Sequence, residues 1–139
     1  MENPNPKVPA SVLTLRWTFV IVPIAAGLDK FFELLADWNV YLAPVVRELL
    51  PVSADTFLFV AGGIEILVGL LMATRYVKIA AYVAAAWLTA IALQLIVAGY
   101  LDIAVRDLAM AVAAWTLGSL SPAVATRPDE QPAVVEARA

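Results

Sequence analysis

Four long apolar runs constrain the fold of this chain more than any other feature of its sequence. They cover about residues 12–35, 56–73, 78–99 and 103–123. A helix needs roughly 20 apolar residues to cross a hydrocarbon core about 30 Å thick, and each run approaches that length. The runs are apolar on every side, which favours helices over the alternating strands of a membrane barrel. The sequence therefore predicts an all-α, multi-pass integral membrane protein.

The composition points in the same direction, because hydrophobic residues fill 63% of the 139 positions and charged residues only 15%. Soluble domains average about 45–50% apolar and about 25% charged residues. A domain of this size has too little interior to hide so many apolar side chains from water. We expect one transmembrane domain over residues 11–124, with flexible polar, proline-containing arms at 1–10 and 125–139.

Two residue types are missing, since the chain has Cys 0 and His 0. It therefore lacks a thiolate nucleophile and the usual protein ligands of zinc, haem and iron–sulfur clusters. We expect no metal site, no redox cofactor held by this chain alone, and no catalytic activity of its own. The net charge of −3 also argues against nucleic acid as a partner, because nucleic-acid binding needs a basic surface.

The connections between the runs predict an antiparallel four-helix bundle. Short turns near 75–78 and 99–102 make consecutive helices antiparallel neighbours. Lysine and arginine are more frequent on the side of both termini, so the positive-inside rule places the termini in the cytoplasm. The longer connection, about 36–55, mixes aromatic, charged and apolar residues, which is typical of an amphipathic segment at the outer membrane interface. Small residues such as Gly62 and Gly69 offer faces that either build the bundle or contact a further copy or partner.

Ionisable residues inside apolar runs usually face a bundle interior or water, because charge is expensive in hydrocarbon. Glu65 is the leading candidate for ligand binding, since it lies near the middle of the second run on the face of Gly62 and Gly69. The full set of candidate binding residues is Lys30, Glu65, Gln94, Arg106 and Asp107, and the secondary candidates are Arg16, Asp29, Trp87 and Trp115. The set either fixes helix register through ion pairs or lines a polar pocket for a quinone headgroup, another small ligand or protons.

Spacing and depth suggest which of these charges meet. Asp102 and Arg106 are one helical turn apart and are expected to pair within the fourth run. Asp107 is then left to meet Lys30 across two helices.

The remaining candidates have two interpretations each. Arg16 either stretches towards Glu65 or extends to the cytoplasmic interface. Trp87 and Trp115 lie nearer the middle of their helices, where they either pack between helices or stack on a ligand ring.

Three sequence elements carry a resemblance to a known family. They are G-x-x-K-F at residues 27–31, G-x-x-E-x-x-x-G at 62–69, and R-D at 106–107. Together, over about residues 16–120, they resemble the DoxX-like family of small four-helix bacterial membrane proteins. The resemblance implies a bundle in the bacterial cytoplasmic membrane, a link to respiratory or redox complexes, and a role for the polar residues of these elements.

The preferred hypothesis is an accessory or anchor subunit of a respiratory or other redox complex, with a quinone or lipid as candidate ligand. Membrane lipid and either other membrane subunits or further copies of the chain are the expected partners. A second hypothesis is a small ligand or proton-coupled transporter that works as an oligomer, with Glu65 titrating in the interior. A third is a structural or assembly protein in which the charges serve register alone.

Overall fold

The computed structural model describes residues 8–121, and these are helical with no strand. The α-helices are α1 (Ala10–Phe32), α2 (Pro44–Leu49), α3 (Ala54–Met72), α4 (Val77–Ala98) and α5 (Leu101–Leu120), and a 3-10 turn covers Trp38–Tyr41. The predicted all-α class is confirmed for this part of the chain. The predicted arm at 125–139 and most of the arm at 1–10 lie outside the described residues.

Four of the helices, α1, α3, α4 and α5, are long and apolar enough to cross a membrane, with mean hydropathy between 1.4 and 2.0. Their outward faces expose large apolar side chains, including Trp17, Ile79 and Val112. An exposed apolar surface of this extent marks contact with a membrane or with other proteins. The four helices therefore fit the predicted transmembrane character of the chain.

The helix ends differ from the predicted ones by a few residues, and local hydrogen bonds explain why. The first run was expected to continue to 35, but the carboxylate of Asp29 accepts hydrogen bonds from the backbone N–H groups of residues 34–36. Glu33 is left-handed, with φ 49 and ψ 43, and so ends α1. The helix of the second run, α3, begins before 56 because Ser53 caps it. The Ser53 hydroxyl accepts a hydrogen bond from the Thr56 N–H at 3.2 Å. The helix of the fourth run, α5, begins at Leu101, two residues after Gly99 ends α4 with φ 88.

Helix packing is concentrated in two pairs, α1 with α3 and α4 with α5. Glycines let the backbones of the first pair touch. A Cβ atom on Gly62 would lie 2.7 Å from the carbonyl oxygen of Gly27, and one on Gly69 would lie 2.9 Å from that of Val20. Gly63 faces away, with nothing within 4 Å of the same position. We call this contact the glycine seam, and it agrees with the face predicted for Gly62 and Gly69.

Between α4 and α5, alanines take the place of the glycines, because their small side chains allow the two helices to approach closely. The buried alanines are Ala80, Ala81, Ala84, Ala85 and Ala92 of α4 and Ala104, Ala111 and Ala114 of α5. Between the two helix pairs, larger side chains such as Phe19, Met72 and Leu117 fill an apolar core. That core occupies one half of the bundle, and the buried polar side chains of the candidate site lie beyond it.

Candidate functional site

Lys30 and Glu65 form a buried ion pair, with 2.7 Å between Nζ and Oε2 and side chains only 6% and 9% exposed. Lys30 lies near the end of α1, and the Cα–Cβ bond of a helical residue tilts towards the start of its helix. Its side chain is thereby directed back along α1. Glu65 lies one turn after Gly62, on the face that the glycine seam holds against α1. The two opposite charges compensate each other, which is the usual condition for burying either.

Two tryptophans surround this pair. Trp87 Nε1 on α4 donates to Glu65 Oε1 at 3.3 Å, so both carboxylate oxygens are engaged. The ammonium of Lys30 lies 3.7 Å from the centre of the Trp38 ring, a cation–π contact. Trp38 Nε1 in turn donates to Asp29 Oδ2 at 2.8 Å. These five side chains, here called the Lys30–Glu65 cluster, join α1, α3, α4 and the 3-10 turn.

A half-open cleft of about 300 Å³ lies beside the cluster, and Lys30 contributes to its wall. We call it the Lys30 cleft. Phe31 and Phe59 form an aromatic part of the wall, with parallel rings whose centres are 5.3 Å apart. On the polar part, Asn39 Nδ2 donates to Asp55 Oδ1 at 2.8 Å. The cleft therefore combines an apolar aromatic surface with carboxylate, amide and ammonium groups, a mixture suited to an amphipathic small molecule.

Gln94 takes part in a different set of contacts from the cluster. Its Nε2 donates to the carbonyl of Tyr41 at 3.1 Å, and its Oε1 accepts from the N–H of Ala43 at 3.0 Å. The amide thus anchors the connection between α1 and α3 to α4. Buried Ala43 and exposed Leu49 show that this connection has an apolar inner side and further apolar residues facing outward.

The ion pairs expected from spacing are not the ones that residues 8–121 form. Lys30 pairs with Glu65, and Arg106 Nε contacts Asp107 Oδ1 at 3.0 Å. The expected pairs, Lys30 with Asp107 and Asp102 with Arg106, were therefore wrong. The glycine seam brings Glu65 within reach of Lys30. Arg106, with 62% of its side chain exposed, turns to its neighbour in the chain, whose side chain is only 8% exposed.

Arg16 and Trp115 lie outside the Lys30–Glu65 cluster. Arg16 Nε donates to the carbonyl of Met72 and its Nη2 to that of Thr74, both at 2.9 Å, so the guanidinium caps the end of α3. Trp115 packs edge-on against Tyr82 with ring centres 4.9 Å apart and is 62% exposed. Of the secondary candidates, the cluster therefore contains Asp29 and Trp87.

Sequence reasoning missed the contributions of Trp38, Phe31 and Phe59. Trp38 belongs to the connection that was expected at the outer membrane interface, and the available signal was its position shortly after Asp29 and Lys30. The stacking of Phe31 on Phe59 has no signal in the sequence, because it depends on how far α1 slides along α3.

Within residues 8–121, no group of three or more His, Cys, Asp or Glu side chains is placed to hold a metal ion. Comparisons of the whole chain with protein-family models, with curated proteins and with solved structures give no match. The resemblance to the DoxX-like family consequently stays a prediction from the three sequence elements.

Proposed function

We propose that this chain is an antiparallel four-span protein of the bacterial cytoplasmic membrane, with both termini in the cytoplasm. The four apolar helices supply the spans. The contacts of the glycine seam support the antiparallel arrangement, because Gly27 meets Gly62 whereas Val20, earlier in α1, meets Gly69, later in α3. The distribution of lysine and arginine supports the orientation. The DoxX-like resemblance favours the same setting.

Within that membrane, the proposed role is an accessory or anchor subunit of a respiratory or other redox complex. The observation that carries this role is the compensated Lys30–Glu65 pair. A proton carrier must release and regain its proton in each cycle, whereas both oxygens of Glu65 are held, one by Lys30 and one by Trp87. A pair fixed in this way suits a scaffold that keeps α1, α3 and α4 in one arrangement for a partner.

The absence of cysteine and histidine fits a subunit that carries no redox centre, since these residues are the usual ligands of haem and iron–sulfur clusters. In this proposal the electrons pass through a partner subunit. A quinone or a lipid is the candidate ligand of this chain, placed beside the Lys30–Glu65 cluster. The outward apolar faces of the helices offer surface to lipids and to partner subunits.

Purification from the native membrane in a mild detergent tests this role. Mass spectrometry of the particle is expected to find at least one redox subunit in constant ratio to the chain, together with bound lipid or quinone. A chain that runs alone, with neither a redox subunit nor a quinone, would contradict the proposal. If the pair serves as a scaffold, the double variant Lys30→Met with Glu65→Leu keeps the partner, whereas Lys30→Met alone weakens the association.

One observation favours a transporter as the second candidate, namely that the Lys30 cleft opens beside a buried ion pair. Such a protein would bind its substrate in the cleft and use Glu65 for coupling, working as an oligomer because four helices enclose little space. Substrate or proton flux into vesicles that contain the purified chain distinguishes the two. Flux that disappears in Glu65→Gln supports transport, and absence of flux in the unaltered chain supports the accessory role.

A further inference from the structure

We infer that the Lys30 cleft binds an ammonium group carried on an apolar body. The cleft, at about 300 Å³, has room for a small aromatic ammonium ion or for the headgroup of one lipid. The inference deepens the ligand site of the proposed function, and it rests on that function only for placing the cleft within reach of membrane lipid.

The charge of the wall selects against an anionic ligand. The ionisable side chains of the wall are Lys30, Glu33 and Asp55. The charge of Lys30 is compensated by Glu65 behind it, at 2.7 Å. Neither of the other two carboxylates belongs to an ion pair formed within residues 8–121. The wall is therefore net negative, and a cleft lined by one sign of charge concentrates ligands of the opposite sign.

The neighbouring cation on the connection does not reverse this balance. The guanidinium of Arg47 donates to the backbone carbonyl groups of Asn39 and Leu42. These neutral acceptors leave the charge of Arg47 in place, but Arg47 is not among the residues of the cleft wall. Even with its charge counted, Glu33, Asp55 and Glu65 outnumber Arg47 and Lys30. Asp55 accepts its hydrogen bond from the neutral amide of Asn39, which leaves its negative charge in place.

The aromatic wall accounts for the apolar body and the ammonium group together. Phe31 and Phe59 are 44% and 46% exposed even though they stack on each other, so each still offers surface to a ligand. Aromatic faces attract ammonium groups as well as apolar surface. The same chemistry already operates in the adjoining cluster, where the Lys30 ammonium lies over the ring of Trp38.

Two sources could supply such a group, and both share its chemistry. One is a zwitterionic lipid with an amine headgroup, and the other is a free organic ammonium ion. An anionic lipid such as phosphatidylglycerol lacks the ammonium group, and the carboxylates of Glu33 and Asp55 repel its negative charge.

Isothermal titration calorimetry of the full chain in a non-ionic detergent tests the inference with two probes of similar size and opposite charge. We expect benzyltrimethylammonium to bind at least tenfold more tightly than benzylsulfonate. The combined variant Glu33→Gln with Asp55→Asn should lose at least tenfold in affinity for the ammonium. Both positions are exposed, and asparagine keeps an oxygen to accept from Asn39. The matched control is Glu48→Gln, an exposed carboxylate of α2 outside the cleft, with less than a twofold change expected.

A second arm identifies the source of the ligand. The delipidated chain is mixed with equal amounts of phosphatidylethanolamine and phosphatidylglycerol, and the adducts are counted by native mass spectrometry. Preferential phosphatidylethanolamine adducts that disappear in the combined variant assign the site to a lipid headgroup. Ammonium binding without that preference assigns it to a free organic cation.

Equal binding of the two charged probes by the unaltered chain, or an ammonium affinity that the combined variant leaves unchanged, would overturn the inference. The comparison of the two probes on the unaltered chain needs no variant, so it decides the matter even if the combined variant does not fold. The proposed function can fail independently of this inference. A chain that purifies alone but still binds the ammonium would contradict the accessory role and support the ammonium site.

Discussion

Replacing Gly62 with alanine would place a methyl group where the backbones of α1 and α3 touch. The new Cβ would lie 2.7 Å from the carbonyl oxygen of Gly27, whereas ordinary contact begins at 3.4 Å, so the helices must part locally by about 0.7 Å. The obstructing atom belongs to the backbone of a helix and cannot rotate away. A second contact, 3.1 Å from the Cβ of Lys30, transmits the shift to the buried ion pair.

The loss of stability caused by this steric contact can be measured separately, with the neighbouring Gly63 as a control. Gly63→Ala makes the same change in the same helix, but nothing lies within 4 Å of its Cβ. Both substitutions gain about the same helix propensity, up to ~1 kcal/mol, so this gain cancels in the comparison. Overpacking a tight contact costs about 1–3 kcal/mol. Gly62→Ala is therefore expected to be about 1–3 kcal/mol less stable than Gly63→Ala.

The measurement is the free energy of unfolding of both variants in one detergent, followed by far-ultraviolet circular dichroism during titration with a denaturing detergent. Helix content before unfolding should be the same for the two variants, because neither substitution disfavours a helix. A Gly62→Ala protein as stable as Gly63→Ala would refute the glycine seam as a backbone contact.

Three further predictions concern the polar contacts and use the same unfolding assay. Lys30→Met leaves Glu65 uncompensated and should cost about 3–5 kcal/mol. Adding Glu65→Leu should restore most of this stability, and a double variant as unstable as the single one would argue against a compensated pair. Gln94→Leu removes two hydrogen bonds to the backbone of the connection, for a loss of about 1–3 kcal/mol and faster limited proteolysis within residues 33–53. Unchanged cleavage there would mean that this amide does not anchor the connection. Asp29→Ala removes the acceptor of three backbone N–H groups and of an indole N–H, and should cost more than Asp102→Ala at an exposed position of α5, so equal losses would count against the cap.

The sequence allowed the four long helices to be predicted, because each is a long apolar run that is visible without any knowledge of tertiary contacts. The inward direction of Glu65 was also accessible, since Gly62 and Gly69 mark the face that packs closely. The ends of α1 and α3 were less accessible. They depend on side-chain caps by Asp29 and Ser53, which compete with continuation of the helix.

The partner of Lys30 could not be predicted, for a reason that the glycine seam makes clear. Depth along each helix suggested that Lys30 and Asp107 lie at similar levels. The actual partner depends on which helices touch and how far one slides along the other, and the contact of Gly27 with Gly62 sets both. The cleft has the same origin, because its aromatic wall needs Phe31 and Phe59 at one level of α1 and α3.

The position of the ion pair within one helix pair has a consequence for insertion into the proposed membrane. Lys30 and Glu65 both belong to the pair of α1 and α3, within residues 10–72, so each has its opposite charge without any contact from α4 or α5. In the proposed antiparallel arrangement, these two helices can leave the insertion machinery with the charges of Lys30 and Glu65 already paired. The contacts with α4, from Trp87 to Glu65 and between Gln94 and the connection, are hydrogen bonds and not ion pairs. The ion pair is therefore complete within the part of the chain that is synthesised first.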